Sequence, residues 1–293
     1  MNRILFFLLL TGALAACGPQ SNAQSQGSSK VYCSTAEGQR LRQQLASLKV
    51  GKGYSQPIGV VATIVGGRFI GTPYVAQTLE IPGEEQVVVH LSGLDCTTFV
   101  ENVLVLSRLI KKNALDSASY VREIENIRYR GGNCQGYASR LNYFSEWILD
   151  NSRKGIIEDM TFDFGGFPYE KRLDFMSTHR SSYAQLADPA NWKAIQQTEN
   201  ELNALSRAYI PTENVRTAET YMQEGDIIAL TTRVEGLDVS HVGIAVRREG
   251  RIHLMHASTT SMKVEISALP LQEYLAGRSS VTGIMVCRIK EVQ

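Results

Sequence analysis

Apolar residues recur with helical spacing along HLSGLDCTTFVENVLVLSRLI, His90 to Ile110: Phe99, Val103, Leu106 and Ile110 form one stripe, with Val100 and Leu104 beside it. The pattern predicts a buried helix from about Asp95 to Lys111, entered from a Ser-Gly turn and carrying Cys96 at its start. Upstream, GQRLRQQLASLKVGKG reads as a short amphipathic helix stopped by glycine. GVVATIVGGRFIGTPYVAQTLE reads as mixed apolar sequence with turns at Gly66-Gly67 and Thr72-Pro73, and VVVHL as a strand. Residues 114 to 222 read mostly helical, at SASYVREIENIRYR, SRLNYFSEWILDN and PANWKAIQQTENELNALSRAYI, with loops around GGNCQG and FDFGGFPYE. The last part changes period. GDIIALTT, HVGIAV, IHLMHAS, MKVEIS and VTGIMVCRI are short apolar or alternating runs split by turn residues, as in an antiparallel sheet. Helices followed by strands without alternation predict an α+β fold with the middle region inserted into a simpler core.

At 293 residues and 43% hydrophobic content the chain can bury a large core. With 30 basic against 29 acidic residues, charge gives no case for nucleic acid.

The N-terminus adds a compartment. MNRILFFLLLTGALAAC has a basic start, a short apolar run and small residues before Cys17, the pattern of a signal peptide over 1–16. Leu14-Ala15-Ala16-Cys17 resembles the bacterial lipobox, which implies lipidation of Cys17. Residues 17–35 then serve as a polar tether, and 36–293 as the folded domain. Gly18 after the lipidated cysteine fits sorting to the outer membrane of a Gram-negative bacterium, facing the periplasm. Of the remaining cysteines, Cys287 reads as core, and Cys33 and Cys134 leave a bridge open without a CxxC pair to support redox or zinc-ribbon chemistry.

Cys96 differs. Asp95 is a favoured helix cap, so Cys96 takes the first helical position, where free N–H groups and the helix dipole stabilise an anion. The expectation is a lowered thiol pKa and a ready oxyanion site. A cysteine merely packed behind a cap is the competing reading, and a nearby base decides between them. SHVGIAVRREGRIHLMHAST reads as a hairpin turning at Glu249-Gly250, which pairs Arg248 with Arg251, Gly243 with His256 and His241 with Ser258. Alternation then puts His241 and His256 on one face and His253 on the other, unless a bulge intervenes. His241 becomes the candidate base and His256 its orienting partner. A zinc held by Cys96, His241 and His256 would use the same atoms.

Several motifs resemble a known family. DCTTFVENVLVL is similar to the nucleophile helix of NlpC/P60 papain-like cysteine peptidases, SHVGIAV to their histidine strand, LMHAS to the strand of their third polar residue, and GTPYVAQTLE to their G-x-x-Y segment. SGLDCTTFVENVL, the RYRGG to SRLNYFSEWILDN block, DFMSTHRSSYAQL and TGIMVCRI resemble the DUF1460 amidases within that superfamily. The resemblance spans about Leu41 to Lys290. It implies a papain-like NlpC/P60 fold, a nucleophile helix packed on an antiparallel sheet, and hydrolysis of the N-acetylmuramoyl-L-alanine bond in peptidoglycan fragments, anhydro-muropeptides above all. By position Cys96 is the nucleophile, His241 the base and His256 the orienting residue. Tyr74, Asp95, His179 and Ser240 fall on the oxyanion or substrate side. No cofactor and no metal is implied, and a monomer is expected. The rivals are a γ-D-glutamyl endopeptidase with the same residues and a non-catalytic wall-binding lipoprotein.

Overall fold

The computed structural model describes residues 29–50 and 54–292. The expected signal peptide, Cys17 and most of the expected tether lie outside the described residues.

The helices are α1 (Thr35–Lys49), α2 (Ile58–Gly67), α3 (Cys96–Lys111), α4 (Ser117–Arg128), α5 (Phe144–Arg153), α6 (Phe175–Thr178), α7 (Pro189–Asn203), α8 (Val215–Ala218) and α9 (Leu271–Ala276). The strands are β1 (Val31–Tyr32), β2 (Val87–Val88), β3 (Ile157–Asp159), β4 (Phe167–Pro168), β5 (Ala208–Pro211), β6 (Ile227–Thr232), β7 (Val239–Arg248), β8 (Arg251–Ser258), β9 (Lys263–Ile266) and β10 (Val281–Ile289). The principal sheet runs β4-β5-β10-β6-β7-β8-β9, with β3 also on β10. All its pairings are antiparallel.

Alternation along the strands covers both faces. Ile227, Ala229, Val242, Ile244, Met255 and Ala257 face the core made with α1 to α4. Ile228, Leu230, Ala245, Ile252, Leu254 and Ile284 face a second core closed by α8 and α9. Helix α3 lies inside the first core with its predicted stripe buried, Ile110 excepted, and its other sides buried as well. Buried polar groups on it are satisfied: Glu101 by Arg128 at 2.8 Å, Arg108 by Glu123 at 2.5 Å, and Asn102 by Tyr120. Rigid burial fixes where its N-terminus sits.

Several sequence expectations change. Gly66-Gly67 is not a turn but the last turn of α2, and a Cβ on Gly66 would come within 2.4 Å of Met255 Cε. The glycine lets this helix lie close on the sheet. VVVHL yields only the two residues of β2, paired in parallel with β1. The helix expected through RAYI ends at Asn203, and Ala208–Pro211 becomes β5, because an open edge of β10 outcompetes a helix with no partner there. The middle region is mostly helical yet supplies β3, β4 and β5, so it is woven into the sheet. Helix α9 was not anticipated. Cys33, Cys96, Cys134 and Cys287 are all free thiols, and Cys287 is fully buried core.

Candidate active site

Asp95 caps α3 from an extended conformation. Its Oδ1 accepts from the Thr98 N–H at 2.8 Å, and the Thr98 hydroxyl returns to the Asp95 N–H at 3.0 Å. This reciprocal box fixes the first turn, and Cys96 is its first residue. The backbone N–H there has no intrahelical acceptor.

The hairpin turns at Glu249-Gly250, both with positive φ (49° and 78°), a two-residue turn whose hand matches strand twist. Arg248 pairs with Arg251 as expected, and the ladder runs to Ile244 opposite Met255. There it stops, although both strands continue. The expected Gly243–His256 and His241–Ser258 pairs therefore do not form as ladder pairs. Parity survives: His241 Nε2 lies 2.7 Å from His256 Nδ1, with the rings perpendicular. His253 points elsewhere, to the Ser267 carbonyl at 2.8 Å.

A bulge is present, but on the other side of β7. The register with β6 shifts between Leu230–His241 and Thr231–Val239, leaving Ser240 as the extra, exposed residue. It precedes His241, so it leaves the hairpin parity intact while re-aiming the strand start. Helix α3, with Cys96 at its start, packs on β7 and β8. The Val242 N–H, one residue from His241, and Thr97 favour the thiolate form of Cys96.

Tyr74 is brought to this corner by its N–H on the Met262 carbonyl (2.9 Å) and its bridge to Leu94. Burial pushes its phenol up to about 12, with the charges of Cys96 and Asp95 adding to the effect. His179 is elsewhere. It ends α6 on the surface, stacked on Phe175 with Nδ1 on the Phe175 carbonyl at 2.9 Å, and its hydrogen-bond and ring partners do not include Cys96, His241 or His256. A one-turn helix followed by a 3₁₀ turn closes on itself there, so the sequence position was misleading.

Two unanticipated residues complete the corner. Tyr274 of α9 meets His256 edge-on, its Oη 3.5 Å from Nε2, and the Arg278 guanidinium lies over the Tyr274 ring. The signal in PLQEYLAGR was the apolar i, i+3, i+4 set Leu271, Tyr274 and Leu275 before Gly277.

The electrostatics differ from the sequence expectation. Burial, then the Asp95 carboxylate, pushes the Cys96 thiol up to about 11, against hydrogen bonds from Val242 and Thr97 that favour the thiolate. Desolvation therefore outweighs the helix terminus. Burial, His256 and Arg278 push His241 down to about 3, and burial with Arg278 pushes His256 down to about 4. The resting site is a neutral thiol beside neutral imidazoles. Two imidazoles on one zinc, each about 2.0–2.1 Å from it, would hold their nitrogens about 3.3 Å apart. The 2.7 Å separation fits a shared hydrogen instead.

Beside Asp95 and Thr97 opens a cavity of about 310 Å³, walled by Gln77, Leu79, Asn142 and Tyr183, with the Glu101–Arg128 pair at its floor. Such an arrangement suits nucleophilic attack on a carbonyl held at a helix N-terminus.

No curated protein matches the chain. An N-acetylmuramoyl-L-alanine amidase of Bacteroides uniformis is similar in structure, with TM-score 0.74 and 34% identity over 80% of this chain and 99% of that one. A protein described as a putative xylanase from Bacteroides fragilis has TM-score 0.71 and 37% identity over 76% and 99% of the two chains. A Legionella pneumophila protein of the DUF1460 family model, 20% identical over 86% and 93% of the two chains with TM-score 0.62, shares the fold. The family model described as AmiA-like, N-acetylmuramoyl-L-alanine amidase-like, matches residues 64–284. With that span matched, and the α+β core of its solved relatives, the chain belongs to the N-acetylmuramoyl-L-alanine amidase-like family.

Proposed function

We propose that the protein is a cysteine amidase of the papain-like NlpC/P60 kind, cleaving the bond between the muramoyl lactyl group and L-alanine in soluble peptidoglycan fragments, anhydro-muropeptides among them. The observation that carries this is the 2.7 Å His241–His256 hydrogen bond on the strands against which α3, with Cys96 as its first residue, is packed.

With His256 Nε2 bearing a hydrogen toward Tyr274 and His241 Nε2 donating to His256 Nδ1, a tautomer assigned from the partners, His241 Nδ1 is the free lone pair. It takes the thiol proton as Cys96 Sγ attacks the lactyl carbonyl. Because the resting pair is neutral, proton transfer accompanies attack rather than preceding it. The Cys96 N–H and the Tyr74 hydroxyl receive the oxyanion. The imidazolium then protonates the leaving alanine nitrogen, the C–N bond breaks, and a water deprotonated by His241 hydrolyses the thioester, returning thiol and lactyl carboxylate.

Glycoside hydrolysis, the activity in the xylanase name, needs two facing carboxyl groups. Here Asp95 is committed to its cap, and the remaining candidate groups are the Cys96 thiol and the paired imidazoles. The leader and Cys17 support a lipid-anchored protein facing the periplasm.

Mass spectrometry of a muropeptide digest tests the reading. Wild type releases peptides beginning at L-alanine and the free sugar, and Cys96→Ala releases neither. Fragments that keep L-alanine on the sugar would instead identify a γ-D-glutamyl endopeptidase.

A further inference from the structure

Arg278 follows α9 at the edge of the histidine pair. Its Cζ lies 3.5 Å from the Tyr274 ring centroid, and its Nη1 donates to the Tyr274 carbonyl at 2.9 Å. The same tyrosine ring packs on His256, which bonds His241 at 2.7 Å. A guanidinium is thus built onto the outer end of the chain that must carry a proton.

Several buried or half-buried arginines hold carboxylates, Arg108 with Glu123, Arg128 with Glu101, Arg140 with Glu85 and Arg288 with Asp226, whereas Arg180 and Arg207 bond backbone carbonyls. Arg278 pairs with no carboxylate among the described residues. Glu273, on the same helix, is taken by Arg251, and Glu265, opposite His256 across β8 and β9, forms no ion pair with it. A fixed, stacked cation disfavours the imidazolium that amide cleavage requires, and its charge lowers both histidines. An anion arriving with the substrate removes that penalty.

We propose that Arg278 takes a free carboxylate on the peptide half of the substrate, the α-carboxylate of the γ-linked glutamate next to L-alanine, and thereby selects acidic stems. This rests on the amidase reading: the lactyl carboxyl is consumed in the scissile amide, so the charges of a muropeptide lie on the leaving peptide. Docking that carboxylate on the guanidinium binds the substrate and frees His241 to become positive.

The test compares N-acetylmuramoyl-L-alanyl-γ-D-glutamate with its isoglutamine form, which lacks only the charge. Wild type prefers the acid by about tenfold to a hundredfold in kcat/KM, the worth of one charge-assisted pair. Arg278→Gln brings the ratio near one, losing on the acid and, with the cation gone, not losing on the amide, while Arg278→Lys retains part of the preference and controls for folding. An unchanged ratio in Arg278→Gln, or no preference in wild type, overturns the proposal. A second measurement does not depend on cleavage: L-alanyl-γ-D-glutamate slows iodoacetamide alkylation of Cys96 in wild type and not in Arg278→Gln. If neither amide is cut but this protection holds, the amidase reading falls and the carboxylate site stands. Absence of protection in wild type overturns the site.

Discussion

Lowering the pH should destabilise the fold through His256, and the size of the loss can be worked from its surroundings. The side chain is 1% exposed, bonded to His241, packed on Tyr274, and held down to about 4 by burial and by Arg278. In the unfolded chain it titrates near 6.5. The folded value is the lower one, so between the two the unfolded state binds the extra proton. The stabilising contribution is complete above about pH 6.5 and shrinks as the pH falls toward about 4. At pH 5 the unfolded chain gains about 1.5 decades of proton binding that the folded site resists, which is about 2 kcal/mol. His241 adds in the same direction. Urea unfolding followed by tryptophan fluorescence, with Trp147 buried as reporter, gives stability at pH 7 and pH 5 for wild type and His256→Gln. Carboxylates elsewhere, such as Glu146, held up to about 7 by burial, titrate in both proteins and cancel in the comparison. Wild type should lose about 2 kcal/mol more than the variant between the two pH values. Equal losses would refute the claim that this imidazole is buried neutral.

The raised Cys96 thiol predicts that iodoacetamide inactivation is slow at neutral pH and climbs about tenfold per pH unit from pH 7 to 9, since thiolate is the reacting species. A plateau below pH 8 would mean a preformed thiolate. Glu101→Gln strands the Arg128 guanidinium, both groups being buried under α3, and should cost about 3–5 kcal/mol in urea unfolding. Gly59→Ala places a Cβ 2.3 Å from the Glu224 carbonyl oxygen, backbone that cannot step aside as a flexible side chain would. It should cost about 1–3 kcal/mol or more, read as a lowered Tm.

Local periodicity carried much of the site. The 3.6-residue stripe and the Asp95 cap placed Cys96 at the start of α3, and the 2-residue alternation put His241 and His256 on one face. Both rules depend on nearest neighbours along the chain, and both hold here because the bulge at Ser240 lies outside the turn-to-histidine span. The end of the β7–β8 ladder at Ile244 was not legible, since where a ladder stops depends on packing against elements distant in sequence, α3 among them. His179 illustrates the converse: a histidine in a motif says nothing of direction, and its own turn absorbed it.

Charge state was the least legible property, and the reason is physical. A helix N-terminus is written in the sequence, but desolvation is a sum over everything packed around the sulfur, including the β7 strand and Asp95. For Cys96 the second outweighs the first. The same logic explains why the place of Arg278 is not legible in the sequence while that of Asp95 is: a cap acts on the residue three positions on, whereas Arg278 is set beside the histidines by stacking on Tyr274, on a six-residue helix whose identity depends on the core it closes. A neutral nucleophile pair beside an unpaired guanidinium makes the substrate's own charge part of the electrostatic balance. On the proposed mechanism the free enzyme is poised against the ion pair that cleavage passes through, and the carboxylate of an acidic stem peptide is the proposed group that relieves that penalty at the moment of binding.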